Sequence, residues 1–258
     1  MERTEKFSGI GGALFNFKFI ACGIIYIFAN LIFIISSAAI CVAFAPHKRK
    51  LFLSRALRHI LAFQTLKLWP RLGMYEIELP PALSEKSGCV YVCNHSSLLD
   101  PLFLLSLIPN AGVVIKRKYK NWLAVWVLIK IFDFCVIDSR SPAAAAAAFS
   151  SARKILASGR NLIVFPEGKR SKNGRLQDFQ GLAFKLAHES NAPVYPCVVF
   201  SRYPFLSKGQ PWLPQKKGNK FIIDFLPPLE SGLSYGKMSD AAYSRISKKL
   251  AQLRQSFK

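Results

Sequence analysis

Apolar and polar positions change period repeatedly along this chain, and each period predicts an element. Short apolar, β-branched-rich runs at 74–79, 89–93, 112–115, 134–137, 161–165, 194–200 and 221–225 read as strands. Segments at 100–107, 120–130, 142–157, 179–189 and 239–257 read as helices. The third of these helices is the best signalled: Ser141 is placed to cap it, Pro142 suits its first turn, and Gly159 follows its end. Its six consecutive alanines, 143–148, are strong helix formers. Strands alternating with helices predict an α/β domain, layered on a largely parallel sheet flanked by helices. No internal repeat and no disordered linker interrupts the pattern.

The amino-terminal part breaks that alternation. Residues 19–45 form an uncharged run of 27 residues. As a helix at about 1.5 Å per residue, such a run exceeds a hydrocarbon core of about 30 Å. His47-Lys48-Arg49-Lys50 follows, with Arg55 and Arg58 behind it, whereas Arg3, Lys6 and Lys18 are partly offset by Glu2 and Glu5. The basic excess on the carboxyl side places the main domain in the cytosol. Two geometries fit the run, a single span or a helical pair broken near Asn30 and Ser36-Ser37 that dips into one leaflet. Ala43-Phe44-Ala45 resembles a signal-peptide cleavage site, but the apolar stretch before it is far longer than the usual 7–15 residues. In 51–69, Leu53, Leu57, Ile60, Leu61 and Leu68 alternate with Arg55, Arg58 and Lys67, and Pro70 marks the end. A membrane-interface helix and an ordinary domain helix both carry this pattern. The expected division is an anchor and interfacial helix over 1–70, followed by one α/β domain over 71–258.

Composition narrows the partners. Thirty-six Lys and Arg against 14 acids give a formal charge of +22, which predicts attraction to anionic surfaces and is silent on fold. Nucleic acid, anionic lipid and an acidic carrier protein compete for that role. The apolar amino-terminal run favours lipid, where each basic residue beside the headgroups contributes about 1 kcal/mol. No helix-turn-helix, zinc or RNA-binding signature supports a specific nucleic acid partner. The six cysteines (22, 41, 89, 93, 135 and 197) show no CxxC pair and no metal-ligand spacing. They read as buried reduced thiols, with neither a disulfide framework nor a metal site.

The chemistry concentrates in two blocks, each after a predicted strand. Asn94-His95-Ser96-Ser97-Leu98-Leu99-Asp100 puts an imidazole and a carboxylate five positions apart. Such a pair makes a hydroxyl nucleophilic: His takes the proton, and the carboxylate fixes its tautomer and stabilises the imidazolium. Asp100, just before Pro101, also suits the cap of the next helix. Ser96 and Ser97 lack a Gly-x-Ser-x-Gly elbow, so loop capping fits them better than nucleophilic attack. The second block, Phe165-Pro166-Glu167-Gly168-Lys169-Arg170-Ser171, offers a carboxylate, a glycine turn and two cations suited to a phosphate.

These blocks resemble those of the 1-acylglycerol-3-phosphate (lysophosphatidate) acyltransferases and their glycerolipid acyltransferase relatives. The first is similar to the family's His-x4-Asp motif and the second to its Phe-Pro-Glu-Gly-x-Arg-Ser motif. Lys116-Arg117 with Val136-Ile137-Asp138-Ser139-Arg140, and Pro193-Val194-Tyr195-Pro196, resemble the two remaining blocks, in family order between about Tyr75 and Pro227. The resemblance implies a glycerolipid acyltransferase-like domain behind a membrane-anchoring helical segment. It further implies acyl transfer to the sn-2 hydroxyl of lysophosphatidate, with His95 as base, Asp100 orienting it, and no acyl-enzyme. Glu167, Gly168 and Arg170 would bind the glycerol phosphate, Glu167 by a glycerol hydroxyl or by ordering the loop. Lys116, Arg117 and Arg140 are further phosphate candidates. No cofactor or metal is implied; the co-substrate is an acyl-CoA or acyl carrier protein thioester, and the partners are membrane lipid, the lyso-lipid and an acyl carrier protein. Three departures bear on the acceptor. Lys169 stands where the family has Thr, Asp178-Phe179-Gln180-Gly181-Leu182 differs from the family's Phe-Lys-Lys-Gly, and Arg140 falls one residue late.

Overall fold

The computed structural model describes residues 12–25, 28, 32, 46–81, 86–121, 123–132, 134–138, 141–171, 174–209, 218–230 and 232–257. Each predicted strand forms: β1 (Glu76–Glu78), β2 (Val90–Cys93), β3 (Ala111–Lys116), β4 (Cys135–Ile137), β5 (Asn161–Val164), β6 (Val194–Ser201) and β7 (Lys220–Phe225). They make one seven-stranded sheet in the order β1-β7-β6-β2-β5-β3-β4. The strands β2 to β6 are mutually parallel, β7 runs antiparallel to β6, and β1 pairs parallel with β7. The carboxyl ends of β2, β3, β4, β5 and β6 therefore share one edge, the side where open α/β sheets receive ligands. Val92 pairs with Val164 and Cys93 with Cys197, so the chain leaves β2 and β5 side by side.

Both faces of the sheet's centre are covered, which is why the inner strands β2, β5 and β6 read as nearly unbroken apolar runs. Tyr91 and Cys93 of β2 point into one layer, and Val90 and Val92 into the other. The first layer holds α2 (Pro46–Ala62), α4 (Asp100–Leu107) and α5 (Leu123–Phe132), with the helix at 12–25, here α1, against it. The second holds α6 (Pro142–Ala157), α7 (Leu182–Glu189) and α8 (Tyr235–Gln255). The cap predicted for α6 forms, Ser141 Oγ accepting the Ala144 N–H at 3.2 Å. Helix α7 starts at Leu182, later than the pattern predicts, because the Gln180 N–H is drawn to the Pro166 carbonyl at 2.8 Å instead of into a helix.

Helix α2 resolves the ambiguity of 51–69 by serving two surfaces. Leu53, Leu57 and Leu61, four residues apart, are buried in the core, while Phe52, Arg55, His59, Phe63 and Lys67 are exposed. It widens into a π-helical turn (Phe63–Leu68) before a last short turn, α3 (Trp69–Arg71). In α1, Phe15, Phe19 and Cys22 face the core and Leu14, Phe17, Ile20, Ile24 and Ile25 face outward. Among the described residues no helix is long and apolar enough to cross a membrane. Most of the uncharged run at 19–45 lies outside the described residues. Five of the cysteines are described, all of them free and buried; Cys41 lies outside.

Candidate active site

Where β2 ends, its ladder continues through a side chain. Asn94 Oδ1 accepts the Val199 N–H at 3.0 Å, and Nδ2 donates to the Val199 carbonyl at 2.9 Å. Asn94 thus fixes where the chain departs from β6, and His95 is the first residue free of the sheet. Its main chain is held from both sides by the second block. The His95 N–H donates to Glu167 Oε1 at 2.7 Å, and its carbonyl accepts the Ser171 N–H at 2.7 Å. Its ring stacks on Phe165 with centroids 4.2 Å apart.

Asp100 is fully buried, and three donors converge on its Oδ2: His95 Nδ1 at 2.9 Å, the Ser96 N–H at 2.7 Å and the Ser97 N–H at 2.8 Å. An ionised carboxylate only accepts, so Nδ1 carries the hydrogen and Nε2 presents a lone pair. That tautomer is the one a general base requires. The capping role expected for Asp100 does not occur. Helix α4 begins at Asp100 itself, Leu99 occupies the cap position without a side-chain bond, and the carboxylate turns back to gather the loop before it. Ser97 does the local capping, accepting the Leu99 N–H at 3.1 Å and donating to the Phe205 carbonyl at 2.7 Å.

Glu167 is buried, and each of its oxygens serves a main-chain group: Oε1 the N–H of His95, Oε2 the N–H of Gln177 at 3.0 Å. Of its two expected roles, the contacts display loop ordering. Burial raises its carboxyl above the usual range, and the two N–H donors oppose that shift. Gly168 is needed for its backbone, whose φ is +65°; a Cβ there would also press on the end of the Gln180 side chain at 2.9 Å, which can move aside. Arg170 is half-buried and spends one N–H on the Leu206 carbonyl at 3.0 Å, leaving the rest of its planar fork without a partner among the described residues.

The remaining basic candidates divide. Lys116 ends β3 and is exposed, on the same sheet edge as His95 with β5 between. Arg117 is committed to Asp138 Oδ2 at 2.6 Å, so it is a poorer phosphate ligand than its sequence position implies. Arg140 lies outside the described residues. No group of three or more His, Cys, Asp or Glu with metal-binding geometry occurs among the described residues. Sequence reasoning missed the parts played by Asn94, Phe165, Ser171 and Leu206. The first three sit inside the quoted blocks, and Leu206 carries no sequence signal.

Known proteins resemble this chain in sequence and in fold. Residues 75–200 match the family model described as Acyltransferase. A coconut 1-acyl-sn-glycerol-3-phosphate acyltransferase is 35% identical over 112 residues, covering 43% of this chain and 36% of that protein. The human 1-acyl-sn-glycerol-3-phosphate acyltransferase beta is 30% identical over 131 residues, 50% of this chain and 47% of its own. The match thus spans about a third to a half of these relatives' length. The fold resembles the crystal structure of the 1-acyl-sn-glycerophosphate (LPA) acyltransferase PlsC from Thermotoga maritima, with a TM-score of 0.73 at 18% identity over 94% of this chain and 95% of that one. The family match runs from β1 through the His95 loop and the loop that clamps it to β6, so the part of the chain that resembles known acyltransferases is the part that carries the site.

Proposed function

We propose that the protein transfers a fatty acyl group from an acyl-CoA or acyl carrier protein thioester to the sn-2 hydroxyl of 1-acyl-sn-glycerol 3-phosphate, forming phosphatidate. The observation that carries this reading is the His95–Asp100 pair, with Nδ1 engaged and Nε2 presented, on a loop clamped by the loop that bears Arg170. His95 Nε2 takes the hydroxyl proton as the acceptor oxygen attacks the thioester carbonyl. The carbon–sulfur bond then breaks, and the departing thiolate receives that proton from the imidazolium. Asp100 supports the imidazolium throughout. Arg170 would grip phosphate oxygens with its fork, Lys116 would add charge along the same edge, and Gly168 would shape the turn. The thioester is activated enough that the scheme calls on no metal or cofactor. The names of the relatives support the same acceptor.

The same proposal puts the enzyme at a membrane, with the α/β domain on the cytoplasmic side. Its support is the outward row of Leu14, Phe17, Ile20 and Ile24 on α1, with exposed Phe52, Arg55, Phe63 and Lys67 on α2. Apolar side chains interleaved with basic ones suit an interface between headgroups and acyl chains. Lys169, exposed beside Arg170, favours a second acceptor reading: another lyso-lipid, either a lysophospholipid with a larger headgroup or a hydroxylated amino-acid lipid. Detergent-solubilised protein with lysophosphatidate and labelled acyl-CoA or acyl carrier protein tests the reading, beside H95A. Phosphatidate from the native protein alone supports it. Product only with another lyso-lipid moves the acceptor, and no product from any acceptor leaves a basic, non-catalytic membrane-binding scaffold.

A further inference from the structure

Leu206 has a φ of +51°, the left-handed region in which a residue with a Cβ is strained. Its carbonyl oxygen accepts two donors, Arg170 Nη1 at 3.0 Å and the Leu98 N–H at 3.2 Å. One oxygen thus joins the basic side chain of the second block to the loop between His95 and Asp100. Rotating this residue to an extended or right-handed conformation would swing that carbonyl away from both donors.

The neighbours on either side hold the strained turn. Phe205 is buried, with its ring edge-on to Phe19 of α1 at 5.8 Å, Tyr75 at 5.9 Å and Phe221 at 5.8 Å. Its carbonyl accepts Ser97 Oγ at 2.7 Å, and Ser207 forms an isolated antiparallel bridge with Ser97. Strain that persists because its surroundings fix it is a mark of functional turns. Here what the strain aims is a carbonyl, and its target is the cation expected to meet the substrate.

We propose that Leu206 is a positioning residue for the phosphate of the acyl acceptor: its left-handed backbone directs the carbonyl that holds Arg170 beside the His95 loop. This rests on the acyl-transfer reading above. The side chain packs on the core but plays no part in the aiming; the backbone conformation does. A purely structural turn would, in contrast, lower stability without singling out Arg170.

The test compares L206V and L206G, alone and combined with R170A, by KM and kcat for lysophosphatidate and by thermal melting. Valine resists positive φ and glycine adopts it freely, although both remove the leucine side chain. L206V should raise KM about tenfold while lowering kcat less, as expected when a bound-state contact is lost. L206G should stay much closer to the native KM. Adding L206V to R170A should change KM no further, because the oxygen then has no guanidinium to hold. Equal KM effects in L206V and L206G, or full additivity with R170A, would overturn the proposal while leaving acyl transfer intact. Native protein inactive on lysophosphatidate sinks the acyl-transfer reading and this inference with it. Should L206V fail to fold, L206A against L206G carries the same contrast with a single methyl group.

Discussion

The loops after β2 and β5 each bury one carboxylate, Asp100 and Glu167, and each carboxylate accepts two main-chain N–H groups. The difference lies in the third bond. Asp100 adds the His95 ring, using the same oxygen that gathers Ser96 and Ser97. Glu167 adds nothing titratable; it holds the His95 backbone with one oxygen and Gln177 with the other. Two buried acids therefore do separate work. Asp100 sets the electronic state of the base, and Glu167 sets where the base stands.

The largest break in that comparison is removing the base. H95A should lower kcat by about 10²–10⁴-fold, the usual contribution of general base catalysis. Melting should fall far less than activity: the main-chain bonds to Glu167 and Ser171 stay, while the ring's bond to Asp100 and its stack on Phe165 are lost. Substantial residual turnover would show that another group takes the proton. D100N comes next. Asp100 Oδ1 is buried without a partner among the described residues, so an amide nitrogen can occupy that side while its oxygen keeps all three donors. The variant should keep the loop geometry and lose only charge, with kcat down about 10²-fold. D100A, in contrast, orphans the Ser96 and Ser97 N–H groups and should also cost about 1–3 kcal/mol for each. If D100N melts as low as D100A, orientation and charge are not separable here.

The sequence made one half of this comparison easy to see and hid the other. The inner strands β2, β5 and β6 were legible because a sheet covered on both faces demands apolar residues at successive positions, whereas β1 alternates Glu76-Ile77-Glu78 with both glutamates exposed. His95 and Asp100 were legible because their chemistry resides in side chains at a recognisable spacing. The roles of Asn94, Glu167 and Ser171 run through bonds to main-chain N–H and carbonyl groups of Val199, His95 and Gln177. Every residue carries those groups, so no residue type announces the partner. Leu206 is the extreme case, since its backbone angle runs against the preference of its own side chain. Helix α2 shows the same limit differently: its alternation was plain, but only the packing revealed which stripe meets the core.

E167Q sharpens the Glu167 side, with a smaller effect on turnover. Glutamine retains one acceptor and turns its NH2 towards a main-chain N–H that needs an acceptor. A loss of about 1–3 kcal/mol of stability follows. Turnover should fall by about tenfold as the His95 backbone loosens, far less than in H95A. The two acids then invert: D100N loses activity at little cost in stability, and E167Q loses stability first. Chemical denaturation and initial rates on the same preparations check this, and parallel losses in both variants would erase the distinction.

The smallest effect is in pH. Burial lifts the Glu167 carboxyl above its ordinary value of 4.5, against the pull of the His95 and Gln177 N–H groups. The folded state therefore holds that proton more tightly than the unfolded chain. The group's contribution is fully present below 4.5 and is lost as pH rises through the folded value. Glutamine cannot titrate, so the stability advantage of the native protein over E167Q should shrink as pH is raised from about 4.5 towards neutrality. Melting both proteins across that range gives the sign directly. An advantage that grows with pH would mean that the two N–H donors outweigh burial. Glu167 would then be an anion held by the N–H groups of the two loops.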